Sequence, residues 1–152
     1  MTIQEAELTE TVIEQLVSLS QAWEKEGSCH GYRKNSPDDI RGNRVFLATD
    51  GGAVAGYLFG HCETAVKATS IYPAGTVYFE LEELFVRPDL RGRGLGKQLF
   101  QYAEKEVADQ ADMILLSTAT KNFRAILHFY IDDLGMDFWS ARLFKEIPSW
   151  QS

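Results

Sequence analysis

Apolar and polar residues follow two different periods along this chain, and each period predicts a type of secondary structure. Residues 3–8 favour a short first strand. Residues 12–23 place their apolar positions at helical spacing, with Thr11 and Glu14 as a capping box at the start. Residues 27–43 are rich in Gly, Ser, Asn, Pro and Asp, a composition that is typical of a loop or a short helix.

The middle of the chain favours strands. Residues 44–49 and 54–62 flank the turn sequence Asp-Gly-Gly, which predicts an antiparallel hairpin. Residues 76–86 predict a long strand. A helix is then predicted from a glycine-rich stretch onward, because apolar residues repeat there every four positions. These residues are Leu95, Leu99, Ala103 and Val107.

The last third of the chain continues the alternation of strands and helices. Residues 113–118 form a compact apolar run that predicts a strand, and residues 122–134 predict a helix that Gly135 ends. Residues 138–145 alternate well enough to predict a last strand. The predicted fold class is therefore mixed α/β. Because 152 residues with 45% hydrophobic content suffice for one core, we expect a single domain over residues 1–152.

Composition narrows the range of partners. The formal net charge of −7 argues against nucleic acid or an anionic membrane as the main partner, since both reward a basic surface. The first residues are polar and acidic, and no apolar run approaches the ~20 residues of a membrane helix. We therefore expect a soluble cytoplasmic protein. His61, Cys62 and Glu63 alternate between the faces of a strand and cannot jointly hold a metal, so no metal is expected.

The sequence VRPDLRGRGLGK at residues 86–97 concentrates glycine and positive charge in an acidic chain. It does not fit a P-loop, because Lys97 is followed by Gln98, and it does not fit the Gly-x-Gly-x-x-Gly fingerprint of dinucleotide-binding folds. Glycines just before a helix can direct successive backbone amides to one point, where the helix dipole adds about half a positive charge. The surrounding cations are Arg87, Arg91, Arg93 and Lys97. This combination predicts a site for a pyrophosphate-bearing cofactor.

The same residues resemble a known family. Residues 91–96 satisfy the pattern (Q/R)xxGx(G/A) of the GNAT superfamily of acyl-CoA-dependent N-acetyltransferases, and they follow LEELFVRP, which is similar to that family's fourth strand. The resemblance implies a GNAT-type fold. Such a fold has a central, mostly antiparallel twisted sheet of six to seven strands, about four flanking helices and a splay between the fourth and fifth strands.

A second stretch is also similar to the family. Asn122, Ala125 and Tyr130 resemble its motif NxxAxxxYxxxGF, except that one additional residue precedes the tyrosine. Either the helix carries a bulge, or Phe129 takes the usual place of the tyrosine.

The resemblance implies acetyl-CoA as the co-substrate. Its pyrophosphate is expected on the amides of residues 91–96, and its pantetheine arm along the strand at residues 76–86, paired with free backbone groups near Phe85 and Val86. Asn122 would assist from the following helix. The expected cofactor-binding residues are Phe85, Val86, Arg91, Gly92, Arg93, Gly94, Leu95, Gly96, Lys97 and Asn122.

Transfer to an amine requires a base, because only the neutral amine attacks a thioester. By the period of two, Glu80 and Glu82 share one face of the strand, whereas Glu83 points to the other. Both Glu80 and Glu82 occupy positions where the family places a catalytic glutamate: Glu82 matches polyamine acetyltransferases and Glu80 matches the histone-acetylating type. Tyr130 is the first candidate for the acid that protonates the CoA thiolate, with Tyr78 or a water as its replacement.

The acceptor that best suits an acidic protein is a primary amine of a small cationic molecule, such as a polyamine, a diamine or an aminoglycoside. A protein lysine or an N-terminal amine is the alternative acceptor, and a non-catalytic acyl-CoA-binding sensor module is the alternative function. The loops at residues 27–43 and 64–75 are expected to form the acceptor pocket. Dimers are common in the family, so the resemblance also allows a homodimer.

Overall fold

The centre of the molecule is a five-stranded sheet with the strand order β1-β2-β3-β4-β5. The computed structural model describes residues 1–149. The first four strands pair antiparallel, whereas β5 runs parallel to β4. The strands are β1 (Thr2–Ala6), β2 (Arg44–Asp50), β3 (Ala53–Thr64), β4 (Val77–Val86) and β5 (Met113–Leu115). The predicted hairpin of β2 and β3 is confirmed, and Gly51 and Gly52 turn the chain with φ angles of 58° and 85°.

Helices lie on both faces of this sheet. They are α1 (Glu10–Glu26), α2 (Pro37–Ile40), α3 (Leu95–Val107) and α4 (Phe123–Leu127). α3 is the crossover that two parallel neighbours such as β4 and β5 require. A 3₁₀ turn at Pro88–Leu90 precedes α3, and a π-helical segment at His128–Asp133 continues α4. Among the helices of residues 1–149, none combines the length and the apolar character needed to cross a membrane.

The start of α1 differs from the sequence prediction. Its N-cap is Thr9, whose hydroxyl accepts a hydrogen bond from the amide of Val12 at 3.2 Å. The predicted capping box of Thr11 and Glu14 is therefore wrong. The apolar pattern did not locate this end because the first turn of the helix faces solvent. Gly27 ends α1 in the left-handed region, with a φ angle of 62°.

Each face of the sheet has its own hydrophobic core. On one face, buried residues of α3 and of the sheet form one cluster, which includes Leu99 and Phe100 from the helix and Phe46, Leu58, Phe79 and Leu81 from the strands. On the other face, a second cluster includes Ile13 and Leu16 from α1 and Val45, Tyr57, Phe59 and Phe85 from the strands. Fully burying one such side chain stabilises the fold by roughly 1.5–3 kcal/mol. Because β2 and β3 are covered on both faces, their sequences are almost continuously apolar.

The mixed α/β fold class is confirmed, but the sheet of the described residues has five strands where six to seven were predicted. Residues 138–145, the predicted last strand, form no ladder in the structure. Two of their side chains, Leu143 and Phe144, are 94% and 76% exposed. Alternation alone does not make a strand, because a strand also needs a neighbour for its backbone groups. The predicted domain extends to residue 152, and its last three residues lie outside the described part.

Candidate active site

The turn between β4 and α3 presents a row of backbone amides. Gly92 and Gly94 have φ angles of 78° and 81°, in the left-handed region that favours glycine, and Gly94 is the N-cap of α3. A Cβ atom on either glycine would meet only open space, so backbone conformation, not crowding, requires glycine here. Within residues 1–149, the amides of residues 92–97 donate to no protein acceptor. The predicted anion cradle thus has open donors at a helix N-terminus.

The four cations around the cradle divide into two groups. Arg91 makes a bidentate ion pair with Glu26 at 2.8 and 3.0 Å, its Nε donates to the Val86 carbonyl at 2.8 Å, and its guanidinium lies 5.3 Å from the Phe85 ring centre. Arg87 pairs with Asp89 at 2.8 Å. Arg93 and Lys97 are exposed and, within residues 1–149, form no ion pair. We infer that Arg91 ties α1 to the end of β4, which leaves two cations available for an anion.

The predicted splay between β4 and β5 is confirmed. The two strands pair over only three positions, the last of which joins Glu80 to Leu115. Beyond that point the chains diverge and enclose a cleft of about 300 Å³, which residues 81–86 line on one side and residues 116–118 on the other. The cleft reaches Arg91 beside the cradle, so a single ligand can touch both.

Backbone groups of β4 face this cleft at Leu84 and Val86, so Val86 is one of the two predicted residues and Phe85 is replaced by Leu84. The amide of Arg87 donates to the Ala55 carbonyl at 2.9 Å. Because bonded pairs alternate along an antiparallel ladder, Phe85 directs its peptide groups at β3, and Leu84 and Val86 direct theirs at the open edge. The Val86 carbonyl already accepts from Arg91. The groups left for a ligand are therefore those of Leu84 and the amide of Val86, while Phe85 lines the cleft.

The helix after β5 brings two predicted residues to the cleft. Asn122 is the N-cap of α4, and its side chain makes no capping hydrogen bond. The additional residue before Tyr130 is absorbed by the π-helical segment, which is the bulge that the sequence left as one alternative. The Phe129 ring instead lies beside Gly96, where an added Cβ would be 3.4 Å from its Cζ.

The Tyr130 hydroxyl is open to the cleft. In residues 1–149, every buried side-chain nitrogen or oxygen has a hydrogen-bond partner. The structure shows no partner for this hydroxyl, although Tyr130 lines the cleft, so the oxygen is accessible from there. Burial of the side chain, and secondarily the nearby Cys29, raise the pKa of Tyr130 to about 12. The phenol therefore keeps its proton at neutral pH and can donate it.

The loop after α1 closes the outer end of the cleft. Cys29 forms an isolated β-bridge with Thr120, and the amide of His30 donates to the Ala119 carbonyl at 2.9 Å. Lys121 returns a hydrogen bond to the Ser28 carbonyl at 2.8 Å. This part of the loop, predicted to cap the acceptor site, lies against the segment that follows β5.

Three glutamates of β4 lie on one face of the sheet, which corrects the prediction for Glu83. Residues directly opposite in an antiparallel pair point to the same face of the sheet. The odd-numbered residues of β3 share one face, so their partners in β4 lie on that face as well. These pairs are Tyr57 with Phe85, Phe59 with Glu83, His61 with Glu80 and Glu63 with Tyr78. Between them the register shifts, and Glu82 is the additional residue of a β-bulge. Its contact with His61, at 3.7 Å, places Glu82 on this face as well.

Gly60 permits the bulge. A Cβ atom on Gly60 would collide with the backbone oxygen of Glu80 and would lie 2.7 Å from the Phe79 ring. The alternation of faces along β4 is interrupted opposite Gly60, because the β4 backbone approaches this glycine more closely than a residue with a side chain would allow. The sequence of β4 alone therefore does not predict the bulge.

Glu83 is a functional candidate that the sequence prediction missed. Its carboxylate accepts hydrogen bonds from the hydroxyls of Tyr57 at 2.9 Å and Tyr32 at 3.0 Å, and from Asn35 Nδ2 at 2.8 Å. Burial raises the pKa of Glu83 and outweighs these donors, which act in the opposite direction. The sequence does contain one indication of this role: Tyr57 lies in a strand that is predicted to be buried, and a buried tyrosine needs a hydrogen-bond partner for its hydroxyl.

The other two glutamates differ in their surroundings. Burial, and then the charges of Glu82 and Glu63, raise the pKa of Glu80. Glu82 is exposed and lines two cavities: the cleft of the splay and a second cavity of about 390 Å³. Among the described residues, Glu83 is the one other residue that lines both cavities. The second cavity is otherwise lined by Asn35, Asp39, Arg41, Gly42, Asn43, Phe59 and His61.

The second cavity is electrostatically suited to a cation. Glu82, Glu83 and Asp39 contribute carboxylates, whereas the guanidinium of Arg41 is engaged by Asp38 at 2.7 Å and Glu10 at 3.2 Å. The arrangement thus connects an anion cradle and a cleft with open peptide groups on one side to an acidic cavity on the other. At the junction lie two carboxylates, the exposed one of Glu82 and the half-buried one of Glu83.

Comparisons with known proteins give the family. Residues 11–136 match the family model described as Acetyltransferase (GNAT) family. An uncharacterised N-acetyltransferase encoded in the pepI 3′ region of Lactobacillus delbrueckii subsp. lactis is 31% identical over 99 residues. The match covers 65% of this chain, and the chain spans about half, 54%, of that relative.

Solved structures share the fold at low sequence identity. A transcriptional regulator from Bacillus halodurans C-125 has a TM-score of 0.70 at 23% identity, with 96% of this chain and 99% of that chain covered. The aminoglycoside N-acetyltransferase AAC(6′)-Iy in complex with CoA has a TM-score of 0.66 at 18% identity, with 97% and 100% covered. A ribosomal-protein-alanine N-acetyltransferase from Brucella melitensis biovar Abortus 2308 has 0.65 at 14%, with 96% and 100% covered. Proteins with such different described activities share this fold, so the fold alone does not determine the acceptor.

Proposed function

The chain belongs to the GNAT acetyltransferase family, and on that premise we propose that it transfers the acetyl group of acetyl-CoA to a primary amine of a small cationic molecule. The observation that carries the proposal is the junction at Glu82 and Glu83, where the cleft of the splay meets the acidic cavity. A two-substrate reaction needs two binding regions that meet at one point.

The cleft side suits acetyl-CoA. The open amides of residues 92–97, with Arg93 and Lys97 beside them, match a pyrophosphate, because backbone donors at a helix N-terminus favour anions. The peptide groups of Leu84 and the Val86 amide match an extended amide-bearing arm. Such an amide can also stabilise negative charge on the thioester oxygen, a role worth roughly 3 kcal/mol of barrier.

The cavity side suits an ammonium ion. Its carboxylates attract the protonated acceptor, and the formal net charge of −7 raises the local concentration of cations around the whole protein. A free alkyl amine has a pKa of about 10.4, so the enzyme must remove one proton before attack. Glu82 is the group placed to do so, because it is exposed to both cavities, whereas Glu80 lines neither of them.

The proposed step is direct transfer. Glu82, acting directly or through a water, accepts the proton of the ammonium group, and the neutral nitrogen forms a bond to the carbonyl carbon of the thioester. The carbon–sulfur bond then breaks, and the Tyr130 hydroxyl donates its proton to the departing thiolate. The nitrogen, positively charged after the attack, loses its second proton through water to the Tyr130 phenolate, which restores the phenol, and Glu82 releases its proton to solvent. The raised pKa of Tyr130 keeps the phenol protonated before the step but also makes it a weaker acid, so the role rests on the position of its hydroxyl at the cleft.

Release of free CoA thiol with a panel of amines tests the proposal. We expect turnover with diamines, polyamines or aminoglycosides and slower turnover with uncharged amines or lysine peptides. Glu82→Gln should lower kcat about 100-fold or more, in the range typical of a lost general base. Glu80→Gln is the matched control on the same strand and should retain most of the activity.

Two results would contradict the proposal in distinguishable ways. Tight CoA binding by calorimetry without thiol release for any amine would favour a binding module. Preferred turnover of a lysine or N-terminal peptide would keep the transferase and replace the acceptor. Equal loss in the Glu80 and Glu82 variants would refute the assignment of Glu82 as the base.

A further inference from the structure

We propose that Glu83 is a positioning residue of the acceptor site, whose carboxylate holds residues 32–35 in place as one wall of the acidic cavity. Two of its three hydrogen-bond donors, Tyr32 and Asn35, come from this loop, and the third, Tyr57, comes from the core. Asn35 itself lines the cavity. The loop contains no helix or strand in the structure, so side-chain contacts carry its order.

The hydrogen bonds form a closed ring in which two donor paths start at Asn35 and converge on Glu83. The Tyr32 hydroxyl donates to Glu83, so the Ser20 hydroxyl, 2.8 Å away, donates to the Tyr32 oxygen. The Ser20 oxygen in turn accepts from the Asn35 amide at 2.7 Å, and the Asn35 side chain returns to Glu83. Ser20 is fully buried on α1, which fixes the ring to the helix. Both paths therefore end on the Glu83 carboxylate, through the Tyr32 hydroxyl on one side and Asn35 Nδ2 on the other.

The ring requires an ionised Glu83. A carboxylate accepts all three donors, whereas a carboxamide or a protonated acid presents at least one donor of its own to them. No Lys, Arg or His in residues 1–149 lies within ion-pair distance of this carboxylate. Hydrogen bonds to a charged group are stronger than neutral ones, so the loss of one loosens the loop measurably.

Limited trypsin digestion tests the proposal on the intact protein. Arg33 and Lys34 are exposed and lie inside the loop, which provides cleavage sites at the segment concerned. Tyr32→Phe removes only the hydroxyl and keeps the ring that packs 4.4 Å from Trp23. Tyr102→Phe, on α3, removes a hydroxyl elsewhere and is the matched control. Mass spectrometry of the first fragments identifies the site of the initial cut.

We expect first cleavage after Arg33 or Lys34 to be about tenfold faster in Tyr32→Phe, because cleavage follows the population of the open loop. Glu83→Gln should have the same effect, and Tyr102→Phe should match the wild type. Equal rates for wild type and Tyr32→Phe would overturn the proposal. This readout needs no catalysis, so it decides the matter even if no amine is acetylated.

A kinetic readout rests on the proposed function and separates positioning from general damage. In Tyr32→Phe the KM for the amine should rise about tenfold, since the loop lines the acceptor cavity and not the cradle. The KM for acetyl-CoA should stay within about twofold. An equal rise of both KM values would overturn the assignment to the acceptor site.

Discussion

Replacing Gly60 by alanine should destabilise the protein at the β-bulge that arranges the glutamates. The added Cβ would overlap the backbone oxygen of Glu80, which cannot rotate away, and would lie 2.7 and 2.9 Å from two atoms of the Phe79 ring. Both neighbours belong to β4, so the two central strands must separate locally to admit one methyl group. Gly60 has an ordinary φ angle, and the effect is therefore one of crowding alone.

The magnitude follows from these contacts. Overpacking a well-packed interior costs about 1–3 kcal/mol, and contact with backbone atoms favours the upper end. The lower flexibility of alanine in the unfolded chain offsets about 0.5–1 kcal/mol. We expect a net loss of about 2 kcal/mol in the free energy of unfolding, which for a domain of this size lowers Tm by about 4–8 °C.

Urea unfolding followed by tryptophan fluorescence measures this change. Gly96→Ala is the control, because its Cβ would meet the Phe129 ring at an ordinary 3.4 Å in a helical conformation, and it should be neutral or stabilising. A Gly60→Ala protein within about 0.5 kcal/mol of the wild type would refute the view that close approach at Gly60 sets the bulge.

Three further predictions concern the cradle, the ion pair of Glu26 with Arg91 and the half-buried carboxylate of Glu83. Gly94→Ala should weaken CoA binding about tenfold in calorimetry through strain at a φ of 81°, whereas Gly75→Ala, equally strained at 89° but distant from the cleft, should keep it; equal affinities in both variants would contradict the cradle. A double-mutant cycle of Glu26→Gln and Arg91→Gln should give a coupling of about 0.5–1 kcal/mol in urea unfolding, limited by the partial exposure of the pair, and strict additivity would refute it. Because the pKa of Glu83 is raised in the folded state, the stability linked to its protonation is present below the ordinary glutamate pKa and is lost as pH rises through the raised value. Glu83→Gln should therefore flatten the pH dependence of unfolding in the range just above the ordinary glutamate pKa, and parallel curves for the two proteins would count against the shift.

Hydrophobic periodicity by itself determined the order and type of most elements. The hairpin of β2 and β3, the long strand β4 and the helix α3 depend on local alternation, helical spacing and turn residues, all of which the chain carries in each segment. The cradle was likewise predictable, because its glycines and the helix that follows are contiguous in sequence. For Tyr130 the sequence left two alternatives, a bulge in the helix or Phe129 in the place of the tyrosine, and the π-helical segment in the structure corresponds to the bulge.

Only the tertiary structure decided the arrangement of the glutamates and the fate of residues 138–145. The face on which Glu83 lies depends on a bulge, and the bulge depends on Gly60 in the neighbouring strand, which no local pattern in β4 reports. Residues 138–145 carry the alternation of a strand but find no ladder partner in the described structure. The physical reason is common to both. A period describes which side chains share a face within one segment, whereas register and pairing are set by contacts between segments that are distant in the chain.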